Sequence, residues 1–330
     1  MADIRTGQAE LLQIFPPQLR EILSKAVSDW EEVQELRLRS GKPLFITVKG
    51  QEYAVGKGGN LSVSSDAERM KRDGQICIVS QREIEQTVEC AVRHSLYAFE
   101  EQIRQGFLTV AGGHRIGVIG RAVSEHREIR TIKPITGLNI RIAHEKKGCA
   151  DRIMRFLADA GQKEWLSTLL VSPPCCGKTT LLRDIVRNIS NGCGYMEGRT
   201  VGIVDERSEI AACFQGIPQN DVGIRSDVLD GCPKAEGMMM LIRAMSPRVV
   251  AADEIGGKGD LEALQYASGC GCSLIATAHG ASMEDLASKP MFRELFRERI
   301  FCRFVFLSGR KGPGTVERIS DHKGCEIYVP

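Results

Sequence analysis

Between Thr168 and Leu182 the chain reads Thr-Leu-Leu-Val-Ser172-Pro173-Pro174-Cys175-Cys176-Gly177-Lys178-Thr179-Thr180-Leu-Leu. A short apolar run enters a loop. The loop enters a stretch with Leu181, Leu182, Ile185, Val186 and Ile189 on one helical face, stopped by Asn191-Gly192. Strand, loop, helix is the context in which a Gly-Lys-Thr ending marks a phosphate-binding loop. Successive backbone N–H groups at a helix N-terminus make a positive cradle for phosphate. There Lys178 would give a point charge to the β- and γ-phosphates of ATP, and Thr179 a hydroxyl to Mg2+. The pattern normally opens on glycine. Here Ser172 stands in that place, with Pro173-Pro174 stiffening the turn.

Two acidic strand ends follow. Pro247-Arg-Val-Val-Ala-Ala-Asp253-Glu254-Ile-Gly256 is an apolar strand closed by two carboxylates, and ligands of parallel sheets bind at that end of the strands. Asp253 would hold Mg2+ through water, and Glu254 would orient or deprotonate an attacking water. Ile203-Val-Asp205-Glu206-Arg207-Ser208-Glu209 ends another strand. Three close carboxylates repel one another, and a divalent cation or an arginine offsets that. Asp205 is therefore a candidate metal ligand and Glu206 a candidate catalytic group, with solvated surface acids as the alternative. Ala276-Thr277-Ala278-His279-Gly280 places His279 where a side chain can sense the γ-phosphate.

Positioning these groups calls for an α/β domain. Apolar runs at 168–171, 201–204, 249–252, 273–278 and 304–307 alternate with helical patterns at 180–189, 237–245, 260–267 and 291–299. That alternation predicts a parallel sheet with helices on both faces. The first half reads as a smaller α+β domain. A helix runs from Pro16-Pro17 through Trp30, strands lie at Val33–Arg39, Pro43–Val48 and Glu52–Val55, and a polar loop covers Gly56 to Asp73. Ser80 with Glu83 forms a capping box that opens a second helix. A short helix at Phe99–Gln105, strands at Phe107–Val110 and Arg115–Ile119, and a last strand at Ile140–Ile142 complete it. The domains are drawn as 1–147 and 148–330.

The chain has 330 residues, 44 basic and 42 acidic, a formal net charge of +2, and 5% aromatics. Near-neutrality and few stacking surfaces argue against a nucleic-acid partner. No apolar run reaches the roughly 18 residues a membrane span needs, and the charged start MADIRTGQAELL lacks a signal-peptide core. A cytoplasmic location is expected. The twelve cysteines are scattered without paired CxxC spacing, which fits reduced side chains better than a zinc site.

The motif order Ser172–Thr179, Asp205–Glu209, Asp253–Glu254, Ala276–His279 resembles the secretion ATPases, the RecA-like ring motors of type II and type IV secretion and pilus retraction. Within them the chain is similar to the stage III sporulation protein AA family of endospore-forming bacteria. The segments that carry this likeness are Glu35-Leu-Arg-Leu-Arg39 with Gly41-Lys-Pro43, Gly112-Gly-His-Arg-Ile-Gly117, Leu138–Ile142, Ile203–Ala211, Asp227-Val-Leu-Asp-Gly-Cys-Pro-Lys-Ala-Glu-Gly-Met238 and Leu307-Ser-Gly-Arg-Lys-Gly-Pro-Gly314. Two departures stand out: Ser172, and Ser308-Gly309-Arg310 where two arginines are expected. The resemblance implies a RecA-like P-loop NTPase core, ATP with Mg2+, and a homo-hexamer. It implies a mother-cell location at the cytoplasmic face of the membrane around the forespore, beside membrane-protein components of a secretion-like channel. It also implies arginines that complete the site from the N-terminal domain or the next subunit, and Arg115 and Arg141 are the candidates. The rival functions are a nucleic-acid-dependent P-loop ATPase and a nucleotide-binding scaffold without turnover.

Overall fold

The structure is a computed structural model that describes residues 11–92, 106–125 and 128–329. Its contacts divide the chain into two compact units, Met1–His144 and Glu145–Pro330.

In the first unit, helix α1 (Pro17–Ala26) begins with proline in its first turn, where the missing N–H costs nothing. It stops well before Trp30 because Val27 is already extended, at φ −117°. Strands β1 (Val33–Arg39), β2 (Phe45–Val48), β3 (Gln51–Val55) and β4 (Leu61–Val63) follow. Helix α2 (Ala67–Arg72) lies within the stretch expected to be a loop, and so does β4. Only Ala67 and Met70 of that helix are buried, against Ala54 and Ile76, so its apolar signal is too short to show a period. Helix α3 (Gln81–Val92) opens on the expected capping box. The Glu83 N–H donates to Ser80 Oγ at 3.2 Å, and the Ser80 N–H donates to Glu83 Oε2 at 2.7 Å.

Strands β5 (Phe107–Thr109), β6 (Arg115–Glu125) and β7 (Glu128–Arg141) complete a seven-stranded sheet of order β4-β3-β2-β1-β7-β6-β5. The β6–β7 ladder runs out to Glu125↔Glu128, far beyond the strand expected to end at Ile119. From Gly120 to Glu125 every residue is exposed, so that half carries no hydrophobic alternation to read. Elsewhere in this sheet alternation decides the faces. Leu36, Leu38, Ile46, Ile116, Val118, Leu138 and Ile140 pack with Leu19 and Leu23 of α1 and Ile84 of α3. The expected helix at Phe99–Gln105 lies outside the described residues.

In the second unit, β8 (Thr168–Ser172) leads into helix α4 (Lys178–Asn191). Next come β9 (Val201–Asp205), β10 (Ser226–Asp230), α5 (Lys234–Met245) and β11 (Val249–Ala252). Helix α6 (Lys258–Gly269), β12 (Ser273–His279), α7 (Met283–Ser288), α8 (Pro290–Arg297), β13 (Arg303–Ser308), β14 (Thr315–Asp321) and β15 (Glu326–Tyr328) complete it. The strand order is β10-β9-β11-β12-β8-β13-β14-β15. The first six strands are parallel, and β14 and β15 turn back antiparallel. Strands β10 and β15 escaped the sequence reading as short edge elements, and β14 because most of its residues are only half-buried and give no clean alternation.

The central strands are buried on both faces, as parallel strands must be. Leu170, Ile203, Ala251, Ile275 and Val305 join Leu181, Leu182, Ile185, Val186 and Ile189 of α4 in one cluster. Their neighbours Leu169, Val171, Val204, Val250, Ala276, Phe304 and Phe306 join Met238 of α5, Leu264 of α6 and Leu295 of α8 in the other. Register aligns the strands' carboxyl ends, with Ser172 opposite His279, Val171 opposite Phe306, and Val204 opposite Ala252. All the motifs of this unit therefore emerge along one edge.

Candidate active site

The phosphate loop turns through Gly177, which caps α4 at φ +83°. A side chain there would be strained, and its Cβ would lie 2.6 Å from the Gly314 amide nitrogen. Ser172 needs no such freedom. It is a fully buried strand residue that does not adopt a positive φ, and its hydroxyl donates to the Pro173 carbonyl at 2.8 Å. Serine is thus compatible with the first position of the pattern. Cys175 carries the turn at φ +60°, and the Cys176 thiol points to the Pro174 carbonyl at 3.5 Å. Thr180 sits in the first turn of α4.

Lys178 is 6% exposed. Its ammonium reaches Pro173 O at 3.0 Å, Ser172 O at 3.2 Å, Ser172 Oγ at 3.4 Å and His279 Nδ1 at 3.2 Å. Burial holds its pKa below the usual lysine value, against the pull of Asp253 and Glu254. An ammonium can only donate, so His279 Nδ1 accepts from it and the ring proton lies on Nε2. That Nε2 donates to Glu254 Oε1 at 3.1 Å.

Thr179 Oγ1 donates to Asp253 Oδ2 at 2.5 Å. The other Asp253 oxygen accepts from Thr277 Oγ1 and from the Glu254 N–H at 3.1 Å. The Glu254 N–H also reaches Thr277 Oγ1 at 2.8 Å. Thr277 therefore ties the two carboxylate residues together and holds Glu254 in a left-handed backbone at φ +51°, a conformation that costs a non-glycine residue about 1–3 kcal/mol. Arg207 Nη1 lies 3.1 Å from Glu254 Oε2. Sequence reasoning assigned no role to Arg207 or Thr277. The signals were a cation inside an acidic cluster and a hydroxyl in an apolar strand.

Asp205 is 2% exposed, and its carboxylate is occupied by backbone. Oδ1 accepts from Glu209 N at 2.8 Å, and Oδ2 from Ile210 N at 2.9 Å and Ala211 N at 2.8 Å. Burial raises its pKa, opposed by those three amides. Arg183 of α4 grips the same loop through Ile210 O at 2.5 Å and Glu209 O at 2.6 Å. Glu206 pairs with Lys234 at the start of α5. A small cleft lined by Asp205, Glu206, Arg207, Glu209, Lys234, Asp253 and Glu254 joins the two acidic segments. A cavity of about 660 Å³ lies along the hairpin at Asn191–Arg199 beside Lys163 and contains none of the motif residues, so chemistry rather than size locates the site.

Arg115 and Arg141 lie in the first unit, directly opposite each other on β6 and β7. The Arg115 guanidinium stacks 3.5 Å from the Phe107 ring centroid. Arg141 also faces Glu35 on β1. Burial pushes the Glu35 carboxyl upward, but hydrogen bonds from Arg37 and Asn139 and the charges of Arg37 and Arg141 outweigh it, and its pKa ends below the usual value.

Among the described residues no group of three or more His, Cys, Asp or Glu side chains is placed to hold a metal ion by itself. A hydroxyl and a carboxylate in contact at a helix N-terminus suit Mg2+, which keeps several waters and takes few protein oxygens beside substrate phosphates. Thr179 and Asp253 fit that requirement.

The sequence profile of the family described as "Sporulation stage III, protein AA" matches residues 5–327. The chain is 41% identical over 316 residues to the stage III sporulation protein AA of Bacillus subtilis (strain 168), covering 96% of this chain and 95% of that one. It is 32% identical over 198 residues to the uncharacterised protein ycf45 of Cyanidium caldarium, covering 59% of this chain and 55% of that one. Among solved structures, the Legionella pneumophila ATPase DotB matches with a TM-score of 0.53 at 15% identity, over 86% of this chain and 74% of that one. The pilus retraction motor PilT with bound ADP matches with a TM-score of 0.53 at 12% identity, over 87% and 76%. At such identities the likeness speaks for the fold, a RecA-like P-loop core.

Proposed function

The chain belongs to the stage III sporulation protein AA family, and from that premise we propose that it is a Mg2+-dependent ATP hydrolase working as a homo-hexameric motor. Its place would be the mother-cell cytoplasm, at membrane-protein components of a secretion-like channel used in endospore formation. One observation supports the reading most: Thr179, Asp253, Thr277, Glu254, His279 and Lys178 form an unbroken chain of polar contacts at the carboxyl edge of the parallel sheet.

Each group has a task. The α4 N-terminus and Lys178 bind the phosphates, and Thr179 with Asp253 would hold Mg2+, which neutralises charge developing on the γ-phosphoryl group. Glu254 orients the attacking water. His279 couples Glu254 to Lys178, so the base and the phosphate-binding cation share one hydrogen-bonded partner. Asp205, its oxygens taken by three amides, acts by fixing the Asp205–Ala211 loop that presents Arg207 to Glu254. Glu206 acts with Lys234 rather than on the nucleotide. Arg115 and Arg141 remain the proposed source of further positive charge for the γ-phosphate, from the same chain or a neighbouring copy. An arginine's permanent forked charge suits that task.

The test is steady-state Mg2+-ATP hydrolysis by the purified protein. Glu254→Gln should lower kcat by 100-fold or more while ADP still binds, and Lys178→Ala should weaken nucleotide binding itself. Wild-type turnover in either variant would sink the proposal. Tight ATP binding without turnover in the wild type, whatever its oligomeric state, would favour the scaffold reading.

A further inference from the structure

The loop between β13 and β14 reads Ser308-Gly-Arg-Lys-Gly-Pro-Gly314, and nothing above assigns it a task. It leaves β13 beside the phosphate loop, because β13 and β8 are parallel neighbours in register up to Val171↔Phe306. At its far end the Gly314 N–H donates to the Cys176 carbonyl at 2.8 Å. The contact is so close that a Cβ on Gly177 would sit 2.6 Å from Gly314 N and 3.1 Å from the Pro313 carbonyl carbon. The two loops thus share a backbone interface at the residue that caps α4.

The β13–β14 loop is internally fixed. Ser308 Oγ is bonded to Glu317 and accepts from the Arg310 N–H at 3.1 Å, Gly312 N donates to Gly309 O at 3.1 Å, and Thr315 Oγ1 donates to Gly312 O at 2.7 Å. Gly312 and Gly314 adopt φ of +106° and +86°, a backbone that only glycine enters freely. Such a fold holds Arg310 and Lys311 at the turn, both exposed. Lys311 is three residues from Gly314, at most about 11 Å of chain.

Charge balance says what these two cations can serve. The carboxyl edge carries Asp205, Glu206, Glu209, Asp230, Asp253 and Glu254. Of the cations beside them, Lys234 is paired with Glu206, Arg207 with Glu254, and Arg183 is bonded to the Ile210 and Glu209 carbonyls. A polyphosphate entering this edge therefore meets several carboxylates, which Lys178 and Arg183 offset in part beside those two pairs. Arg310 and Lys311 form no ion pair among the described residues, and they are tethered to the loop that cradles phosphate.

We propose that the Ser308–Gly314 loop is a second phosphate-binding strap, in which Arg310 and Lys311 supply positive charge to the phosphate groups of a nucleotide seated on the Ser172–Thr179 loop. The inference rests on the nucleotide-binding reading above. The strap adds affinity through two flexible charges, while the Gly314–Cys176 bond sets their distance from the cradle.

The experiment is calorimetric titration of the full chain with Mg2+-ADP and, separately, with inorganic pyrophosphate. Arg310→Ala with Lys311→Ala should raise Kd about tenfold for both probes, with the melting temperature unchanged because both side chains are exposed. The charge-keeping pair Arg310→Lys with Lys311→Arg should restore most of the affinity. Lys178→Ala is the reference. If it weakens binding and the double alanine variant does not, the strap is overturned and the nucleotide site stands. If wild type binds neither probe, the nucleotide reading falls and the strap with it. If only ADP affinity drops in the double variant, the cations serve the nucleoside rather than the phosphates, and the proposal as stated is overturned.

Discussion

Thr277 shows how one hydroxyl can set the geometry of two acids. It is fully buried, donates to Asp253 and accepts from the Glu254 N–H, and so supports the left-handed turn that aims Glu254 at Arg207 and His279. Thr277→Val keeps the volume but removes the hydroxyl that joins Asp253 Oδ1 to the Glu254 N–H, leaving those two half-buried groups only their 3.1 Å contact with each other, at a cost of about 1 kcal/mol. The expected result is a lower urea midpoint and a kcat reduced at least tenfold, with nucleotide affinity nearly kept because Lys178 and the α4 N-terminus are untouched. An unchanged kcat would show that Glu254 is positioned by its contacts with Arg207 and His279 alone.

Among the elements, the turn before β6 carries an acid-sensitive joint. His114 is 6% exposed, and its Nδ1 accepts the Ala143 N–H at 3.1 Å, so the neutral ring carries its proton on Nε2. Burial, helped by the charge of His144, lowers its pKa from 6.5 to about 4. The unfolded chain therefore binds the extra proton between pH 6.5 and 4 while the folded chain does not. Stability on this account is full above about pH 6.5 and falls as the pH drops toward 4, by roughly 3 kcal/mol at most. His114→Asn keeps an acceptor for Ala143 but cannot take up the proton. Melting curves of the full chain from pH 7 to 4.5 should show a shallower acid loss in the variant, even from a lower starting stability. Parallel curves would mean that other groups govern the acid limb.

For the whole molecule, the described residues of the two units form separate cores: a main one under the seven-stranded sheet with a small cluster around Ala67 and Met70, and one on each face of the eight-stranded sheet. The contact division falls after His144, against an expected break after residue 147. A ring motor that draws Arg115 or Arg141 from a neighbouring copy has a kinetic signature. Turnover per chain should rise with protein concentration, in step with assembly seen by sedimentation, and level off once rings are complete. Turnover independent of concentration in a monodisperse monomer would remove the shared-site part of the proposal.

The amino-acid sequence by itself determined the strand–loop–helix at 168–191, the two acidic strand ends, the strand that closes on His279 and the alternation that builds a parallel sheet. Each of these is a local pattern: an apolar run short enough to be a buried strand, then turn residues, then a helical face. The sequence also determined the capping box at Ser80 and Glu83. It left β4, α2, β10 and the outer half of the β6–β7 ribbon unread, since edge and doubly solvated segments carry too few buried residues to impose a period. Only the tertiary structure decided that Asp205 spends its oxygens on three amides, that Arg207 and Thr277 hold Glu254, and that Gly314 presses on the phosphate loop. The physical reason is the parallel sheet itself. Its crossovers bring the carboxyl ends of strands far apart in the chain to one edge, and side chains with no mutual spacing in sequence become partners there because buried polar groups must find one.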